Sequence, residues 1–439
     1  MSEIIKPSIL PGFMELLPSK QRSFDRLKQI IEDNFKTFGY VNLDTPLIEK
    51  EEILLSKGGG ETAKQIYRIE HDRTPQALRF DLTVSLARYV AMHAHELAFP
   101  FRRYQIDKVY RGERNQKGRY REFYQCDIDI IGQESLSLIN DAEVPLVIYN
   151  IFQDIGFEKM TFHINNRRLL NGFFDAIGIS EREETLRTID KLQKIGMENT
   201  QNELKDLALS DEQISRVFDF IAVDLTNYEV IEKIQAMDLD HDEFEQGRDE
   251  LIDVYKYMIR FGIPEDNIKL NLSITRGLDY YTGTVYETFL NGYESIGSVC
   301  SGGRYDDLAS NFTKQKFPGI GVSIGLTRLF YQLDQIGLLQ EEEKGYVDVL
   351  AIPMGDEDMT YAFDLVTDLR EAGINSQVYF ELGRLKKKFT YADKVDALYA
   401  LVIGGTEREN NQVSVRNLKS GDQDLINKDE LVEFIRGRL

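Results

Sequence analysis

The stretch from Phe101 to Gly132, FRRYQIDKVYRGERNQKGRYREFYQCDIDIIG, constrains this chain most. Two strand-like runs flank a charged, glycine-containing segment, Arg111 to Gly118. In the second run Arg119, Arg121, Phe123, Gln125, Asp127 and Asp129 share one parity, and Tyr120, Tyr124, Cys126, Ile128 and Ile130 share the other. The two-residue period of a strand sends each set to its own face. One face is apolar, and the other carries two guanidiniums, an amide and two carboxylates. Between otherwise apolar strands, such a face fits a ligand floor. The spacing fits an amphipathic hairpin with its polar side in water equally well.

A chain of 439 residues has room for two to four domains with sizeable cores. Its 42% hydrophobic and 29% charged residues are ordinary for a globular protein. No apolar run approaches the ~20 residues of a membrane span, and MSEIIKPSIL lacks the layout of a signal peptide. Two cysteines, Cys126 and Cys300, supply neither a disulfide framework nor a thiolate metal site. A cytosolic protein without a membrane partner is expected. The net charge of −21 weighs against nucleic acid, although a locally basic surface is compatible with it.

Along the chain, Phe24, Leu27, Ile31, Phe35 and Phe38 recur at helical spacing and predict a helix over 19–39, with Gly39 as its stop. Pro46 restricts the extended piece around it to an edge or an interface. GGGET, Gly58 to Thr62, reads as a flexible loop, and ALRFDLTVSLARYVAMHAH as a strand running into a helix. His93 and His95 are two apart on that helix and point in different directions, which argues against a shared metal. Asp141 to Asp154 is predicted helical, and residues 175–262 read as an inserted helical subdomain without a chemical motif. Strand character resumes at Lys269. SGGRYDDL reads as a Gly-Gly turn followed by an arginine and two aspartates. FPGIGVSIGLTRLFYQL is a glycine-spaced strand entering a helix near Gly325. GIGVSIG fails the dinucleotide fingerprint by one residue of spacing, and no phosphate-loop motif occurs.

From Tyr346 strands and helices alternate, predicting a separate α/β domain with helices on a largely parallel sheet, after a linker at Gln340–Gly345. In it Arg384, Lys386, Lys387, Lys388 and Lys394 lie beside Phe389 and Tyr391. Cations interleaved with aromatic rings suit single-stranded nucleic acid. A solvated helix face has the same composition.

Taken in order, these segments resemble the histidyl-tRNA synthetase family of class II aminoacyl-tRNA synthetases. RGERNQKGRYREFYQCDIDIIG resembles motif 2, GIGVSIGLTRL motif 3 and FGYVNLDTPLIEKEEIL motif 1. RGLDYYTGTVYE and SGGRYDDL resemble the two histidine-specific signatures. The resemblance implies an α+β fold class: an antiparallel-sheet catalytic domain in two parts, 1–174 and 263–338, around a helical insertion at 175–262. A C-terminal α/β anticodon-binding domain at 346–439 follows. It further implies a ligase that activates L-histidine with ATP, carried with Mg2+, and passes it to tRNA(His), as a homodimer. No protein-held metal is expected.

For site residues, the resemblance implies that Arg111 clamps the α-phosphate, Glu113 faces the adenine, and Arg119 and Arg328 hold the outer phosphates. Arg276 would be the main catalytic cation. Arginine suits these places because its fork pairs with two oxygens and keeps its charge. Asp81, Thr83, Gln125, Asp129, Tyr280 and Tyr281 match histidine-binding positions, with core packing as the alternative for the tyrosines. Arg121 and Asp127 share the polar face without an assigned ligand. Arg114 and Gln116 are candidates for tRNA, together with Arg384, Lys386 and Lys388. Thr327 stands where the family carries Glu before the motif 3 arginine, and Asn115 where proline is common. A histidine-sensing regulatory paralogue is the competing expectation, one that would have shed some of these arginines.

Overall fold

The computed structural model describes residues 4–56, 62–70, 73–113, 118–157, 159–222, 225–274, 280–307, 309–339, 345–381 and 383–439. Arg276, Arg114, Gln116, Asn115, most of the Gly58 loop and nearly all of the Gln340 linker lie outside them. Two compact units form: Met1–Glu15 with Phe24–Leu339, and Leu16–Ser23 with Gln340–Leu439.

The first unit is built on an eight-stranded sheet. Its strands are β1 (Val41–Asn42), β2 (Phe101–Tyr110), β3 (Glu122–Ile131), β4 (Met160–Asn166), β5 (Ile268–Leu270), β6 (Thr284–Leu290), β7 (Cys300–Tyr305) and β8 (Gly319–Ile324). They lie in the order β1-β2-β3-β8-β7-β6-β4-β5. Only the outermost pairs, β1–β2 and β4–β5, are parallel. Beyond Pro46, Ile48–Lys50 leaves for a separate three-stranded sheet.

Helix α1 (Pro18–Thr37) lays Phe24, Leu27, Ile31 and Phe35 on one side of the sheet, all buried. Phe24 meets Tyr124 with ring centroids 5.5 Å apart, and Phe35 meets Tyr104 at 5.7 Å. Gly39, at φ +77°, takes the left-handed turn that ends the helix. Cys126, Ile128 and Ile130 are fully buried, as their parity predicts. The polar parity is buried from Gln125 onward, with Gln125, Asp127 and Asp129 at most 8% exposed, while Arg119 near the loop is exposed. For that inner half of the hairpin, a water-facing polar side is thereby excluded.

Gly302 and Gly303 are not a turn, contrary to the expectation from SGGRYDDL. Both lie inside β7, paired on both sides. A Cβ on Gly302 would meet the Gly321 carbonyl oxygen at 2.2 Å, and one on Gly303 the Tyr281 ring at 2.9 Å. Glycine serves here for close approach, a role it shares with turns only in lacking a side chain.

Helix α2 (Thr83–His93) precedes the hairpin, and α3 (Ile139–Ile155) and α4 (Arg167–Ala176) follow it. Residues 182–260 form five helices: α5 (Arg182–Asp190), α6 (Leu192–Asp206), α7 (Asp211–Phe220), α8 (Asn227–Ala236) and α9 (Asp242–Arg260). Ser210 and Thr226 open α7 and α8 as capping boxes. The last helix is pressed backbone to backbone onto α4. A Cβ on Gly247 would sit 2.1 Å from the Leu169 nitrogen, and one on Gly172 2.3 Å from that of Phe244.

Helix α10 (Leu326–Gln335) continues from β8. The second unit holds a sheet of β9 (Val349–Pro353), β10 (Ser376–Val378), β11 (Tyr399–Ile403), β12 (Gln412–Asn417) and β13 (Gln423–Asn427), in the order β10-β9-β11-β12-β13. The first three strands are parallel and the last two antiparallel, so the sheet is mixed where a largely parallel one was expected. Strand β13, QDLIN, carries too little apolar pattern to be read from sequence. Helices α11 (Met359–Glu371), α12 (Leu385–Lys394) and α13 (Leu431–Arg436) pack in this unit, with a short helix at Gly405–Glu409.

Lys388 needs correction as an RNA-facing cation. It is 2% exposed, and its Nζ donates to the Pro353 carbonyl oxygen at 2.5 Å, beside the Tyr379 ring. Lys386 and Lys387 on the same helix, and Arg384 just before it, are exposed. Among the described residues, no helix is long and apolar enough to cross a membrane.

Candidate active site

Strand register carries the polar face of β3 across the sheet. Asp127 pairs with Ser323 on β8, Ser323 with Ser301 on β7, and Ser301 with Glu287 on β6. One row nearer the strand's end, Asp129 pairs with Gly321 and Gly321 with Gly303. Polar side chains thus line one row, and in the next the Asp129 carboxylate stands beside two glycines of bare backbone. A Cβ on Gly321 would strike Asp129 Oδ1 at 2.1 Å, so glycine there clears the carboxylate's place.

Above this floor lies a cavity of about 410 Å3. That is within the usual size of small-molecule sites. Its acidic end is lined by Asp81, Thr83, Gln125, Asp127, Asp129, Tyr280 and Tyr281. Its cationic end is lined by Arg111, Glu113, Arg119 and Arg328. All ten described residues that the sequence suggested for histidine and ATP therefore meet in one place.

Each cation is positioned by its own local contacts. Arg111 Nε donates to the Phe80 carbonyl oxygen at 2.9 Å, and the guanidinium lies over the Phe123 ring, 5.2 Å from its centroid. Arg119 Nη1 reaches the Glu113 carboxylate at 3.4 Å. Arg328, in the first turn of α10, donates from Nη2 to the Ile296 carbonyl oxygen at 3.0 Å. Thr327 beside it is buried, and its hydroxyl accepts the Tyr124 N–H at 2.8 Å. β8 ends at Ile324, opposite Cys126, and the hydroxyl replaces the strand carbonyl that Tyr124 would otherwise meet. Thr327 thus ties α10 to β3. Arg121 turns elsewhere, donating from Nε to the Glu113 carbonyl oxygen at 3.1 Å.

At the acidic end Asp129 Oδ2 pairs with Arg103 Nη2 at 2.6 Å, and its Oδ1 accepts the Tyr305 hydroxyl at 2.7 Å. Gln125 Nε2 donates to Ser323 Oγ at 2.8 Å. Asp81 Oδ1 accepts the Val84 N–H at 3.1 Å, at the start of α2. Asp81 Oδ2 and Gln125 Oε1 are buried and have no hydrogen-bond partner among the described residues. Burial raises the carboxyl of Asp81 to about 6 and that of Asp127 to about 7, against partial relief from nearby charge and hydrogen bonds. Burial also raises Asp129, with Arg103 opposing. Such carboxylates favour a cationic ligand, which would restore their charged forms. Tyr280 and Tyr281 touch edge to face at 5.0 Å, and Tyr280 meets Tyr305 the same way at 6.0 Å.

Arg103, Tyr305 and Ser323 are part of this arrangement and were not anticipated. Arg103 faces Asp129 directly across the hairpin register, so its parity in FRRYQ was the available signal. Tyr305 and Ser323 lie in the segments SGGRYDDL and GIGVSIGLTRL, but nothing in those segments pointed to Asp129 or Gln125 as their partners. Among the described residues, no group of three His, Cys, Asp or Glu side chains is placed to hold a metal ion.

An antiparallel-rich sheet whose floor joins an acidic pocket to a row of arginines, followed by a separate C-terminal sheet domain, defines a class II aminoacyl-tRNA synthetase fold. The family model described as histidyl-tRNA synthetase matches residues 12–329, and one described as anticodon binding domain matches 348–438. A histidine–tRNA ligase of Clostridium tetani is 52% identical over 99% of both chains. The solved histidyl-tRNA synthetase of Nostoc sp. PCC 7120 superposes with a TM-score of 0.89 at 38% identity, covering 99% of this chain and 100% of that one. A Bacillus halodurans structure described as an ATP phosphoribosyltransferase regulatory subunit/histidyl-tRNA synthetase matches with a TM-score of 0.77. At 21% identity over 92% of this chain and 100% of that one, it shares the fold. The chain belongs to the histidyl-tRNA synthetase family.

Proposed function

We propose that the protein is a histidine–tRNA ligase that forms histidyl-adenylate from L-histidine and ATP, with its Mg2+, and then charges tRNA(His). One observation carries this reading: a single cavity holds both an acidic pocket with unpartnered polar atoms and a cluster of arginines. The acidic end suits the α-ammonium and imidazole of histidine, and the arginines suit a polyphosphate.

The histidine carboxylate attacks the α-phosphorus, an oxygen–phosphorus bond forms, and pyrophosphate leaves with the electrons of the broken bond. Charge accumulates on phosphoryl oxygens, so fixed cations supply most of the rate. Arg111 holds the α-phosphate and Glu113 the adenine, while Arg119 and Arg328 hold the outer phosphates. Arg276, beyond the described residues, is the main catalytic cation in this proposal. Asp81, Thr83 and Gln125 take the ammonium, and Asp129 with Tyr280 and Tyr281 take the ring. A pocket that hydrogen-bonds both ring nitrogens rejects apolar isosteres by about 10⁴-fold without editing.

The same proposal assigns catalysis to 1–174 and 263–338, with 175–262 as an insertion, and anticodon reading to 346–439. There Arg384 and Lys386 remain tRNA candidates, as do Arg114 and Gln116, which lie outside the described residues. Val41, Leu47 and Ile48 are exposed apolar side chains in the motif 1 segment, consistent with a homodimer. A cytoplasmic location fits the absence of membrane-length helices among the described residues. Both Asp–Arg pocket pairing and the phosphate-type arginines are retained, and nothing here favours a sensor without aminoacylation.

The test is histidine-dependent exchange of pyrophosphate into ATP, followed by charging of tRNA with histidine. Exchange and charging are both expected, and exchange should vanish in Arg276→Ala. Folded protein that does not exchange would refute the enzyme reading, and exchange without charging would indicate a sensor.

A further inference from the structure

Helices 182–260 carry no chemical motif, yet α9 reaches toward the histidine end of the cavity through a chain of charges. Glu250 of α9 sits where its Oε2 accepts Asn166 Nδ2 at 2.9 Å and lies 3.8 Å from Arg168 Nε. Asn166 in turn caps α4, its Oδ1 accepting the Arg168 N–H at 2.8 Å. Arg168 Nη2 donates to Asp306 Oδ2 at 2.6 Å. That same oxygen accepts the Thr282 hydroxyl at 2.7 Å, and the Thr282 hydroxyl accepts the Asp306 N–H at 3.1 Å. Thr282 directly follows Tyr280 and Tyr281, and Asp306 directly follows Tyr305. One acid therefore ties together the two segments that carry the pocket's tyrosines, and one arginine ties that acid to the insertion.

The anchor at the far end is stiff. α9 and α4 touch through Gly247 and Gly172 at distances that admit no side chain. At the near end Asp306 is also within 3.7 Å of Arg304, whose guanidinium is held by buried Asp141 at 2.6 Å. Charges alternate along the whole run from Glu250 to Asp141. Arg168, Asp306 and Glu250 do not line the cavity, so their influence on it is indirect.

We propose that α9 sets the affinity for histidine, with Glu250, Arg168 and Asp306 acting as positioning residues for Tyr280, Tyr281 and Tyr305. This rests on the reading of the acidic end as the histidine pocket. The insertion then has a task in amino-acid activation, separate from any contact it makes with tRNA. Its effect falls on histidine binding and not on the phosphate end, where the arginines have their own supports.

The test uses the full-length protein in histidine-dependent pyrophosphate exchange without tRNA, with thermal melting as a check on folding. Wild-type protein is measured first, and absence of exchange there refutes the ligase reading and this inference together. With an active wild type, Glu250→Gln and Arg168→Gln should each raise KM for histidine by roughly five- to tenfold, with kcat and KM for ATP within about twofold. The double variant should be no worse than Arg168→Gln alone, because both remove one link. Arg168→Lys should restore part of the loss, and it carries the test with Glu250→Gln if Arg168→Gln does not fold. Unchanged KM for histidine, or an equal loss in kcat that follows the folded fraction, overturns the proposal while leaving the ligase reading standing.

Discussion

Arg103 and Asp129 face each other across the central hairpin, Nη2 to Oδ2 at 2.6 Å, with the arginine wholly buried and the aspartate 2% exposed. Two charges so far from water are stable only together. Arg103→Met should therefore cost about 3–5 kcal/mol in urea unfolding, since it strands the Asp129 carboxylate. A variant as stable as the parent would show that Asp129 does not need its partner.

The carboxyl of Asp127, raised to about 7, predicts a pH signature. Its folded value lies above the ordinary carboxyl value near 4, so folding takes up a proton between the two. The stabilising contribution is complete below about pH 4 and is lost as pH rises through 7. Relative to wild type, Asp127→Asn should gain stability by about 1.4 kcal/mol per pH unit across that window. Urea midpoints measured from pH 4.5 to 8 check this, and a constant difference would contradict it.

Gly321→Ala places a methyl group against Asp129 Oδ1. We expect histidine-dependent exchange to fall by roughly a hundredfold, because the carboxylate must leave its position. Circular dichroism should still report a folded protein. Normal exchange would mean that Asp129 is not held where histidine needs it.

Lys388 and Lys386 should separate cleanly. Lys388→Glu puts an acid against the Pro353 carbonyl oxygen inside the second unit, and should lower that unit's melting transition. Exposed Lys386→Glu should leave melting unchanged and weaken tRNA binding, with adenylate formation intact. A filter-binding assay beside a thermal melt distinguishes them, and the reverse assignment would restore Lys388 as an RNA contact.

Thr327→Val keeps the shape and removes the hydroxyl that accepts the Tyr124 N–H. Loss of that acceptor should cost about 1–2 kcal/mol in chemical denaturation. A neutral result would mean that another group takes the amide.

Local pattern was enough for features whose signal is local. The parity of Gln125, Asp127 and Asp129, the stripe of α1 and the strand-to-helix change at Gly325 are periodicities, and each reappears in the fold. Features set by register or crossing were hidden. Nothing near Tyr305 announces Asp129, which is 176 positions away. Gly302-Gly303 carries the composition of a turn, and only the neighbouring strands reveal close packing. Lys388 has the same sequence company as Lys386, but the helix turns it inward toward β9.

Gly302 and Gly321 leave part of the cavity floor as bare backbone, and Gly303 beside them packs against Tyr281. In a comprehensive substitution library they should form a closed block that admits no other residue. Ser323 and Ser301 one row away should tolerate small replacements. The site's outline is therefore held by atoms common to every residue, and drift in the surrounding side chains can alter what the pocket prefers without altering where it is.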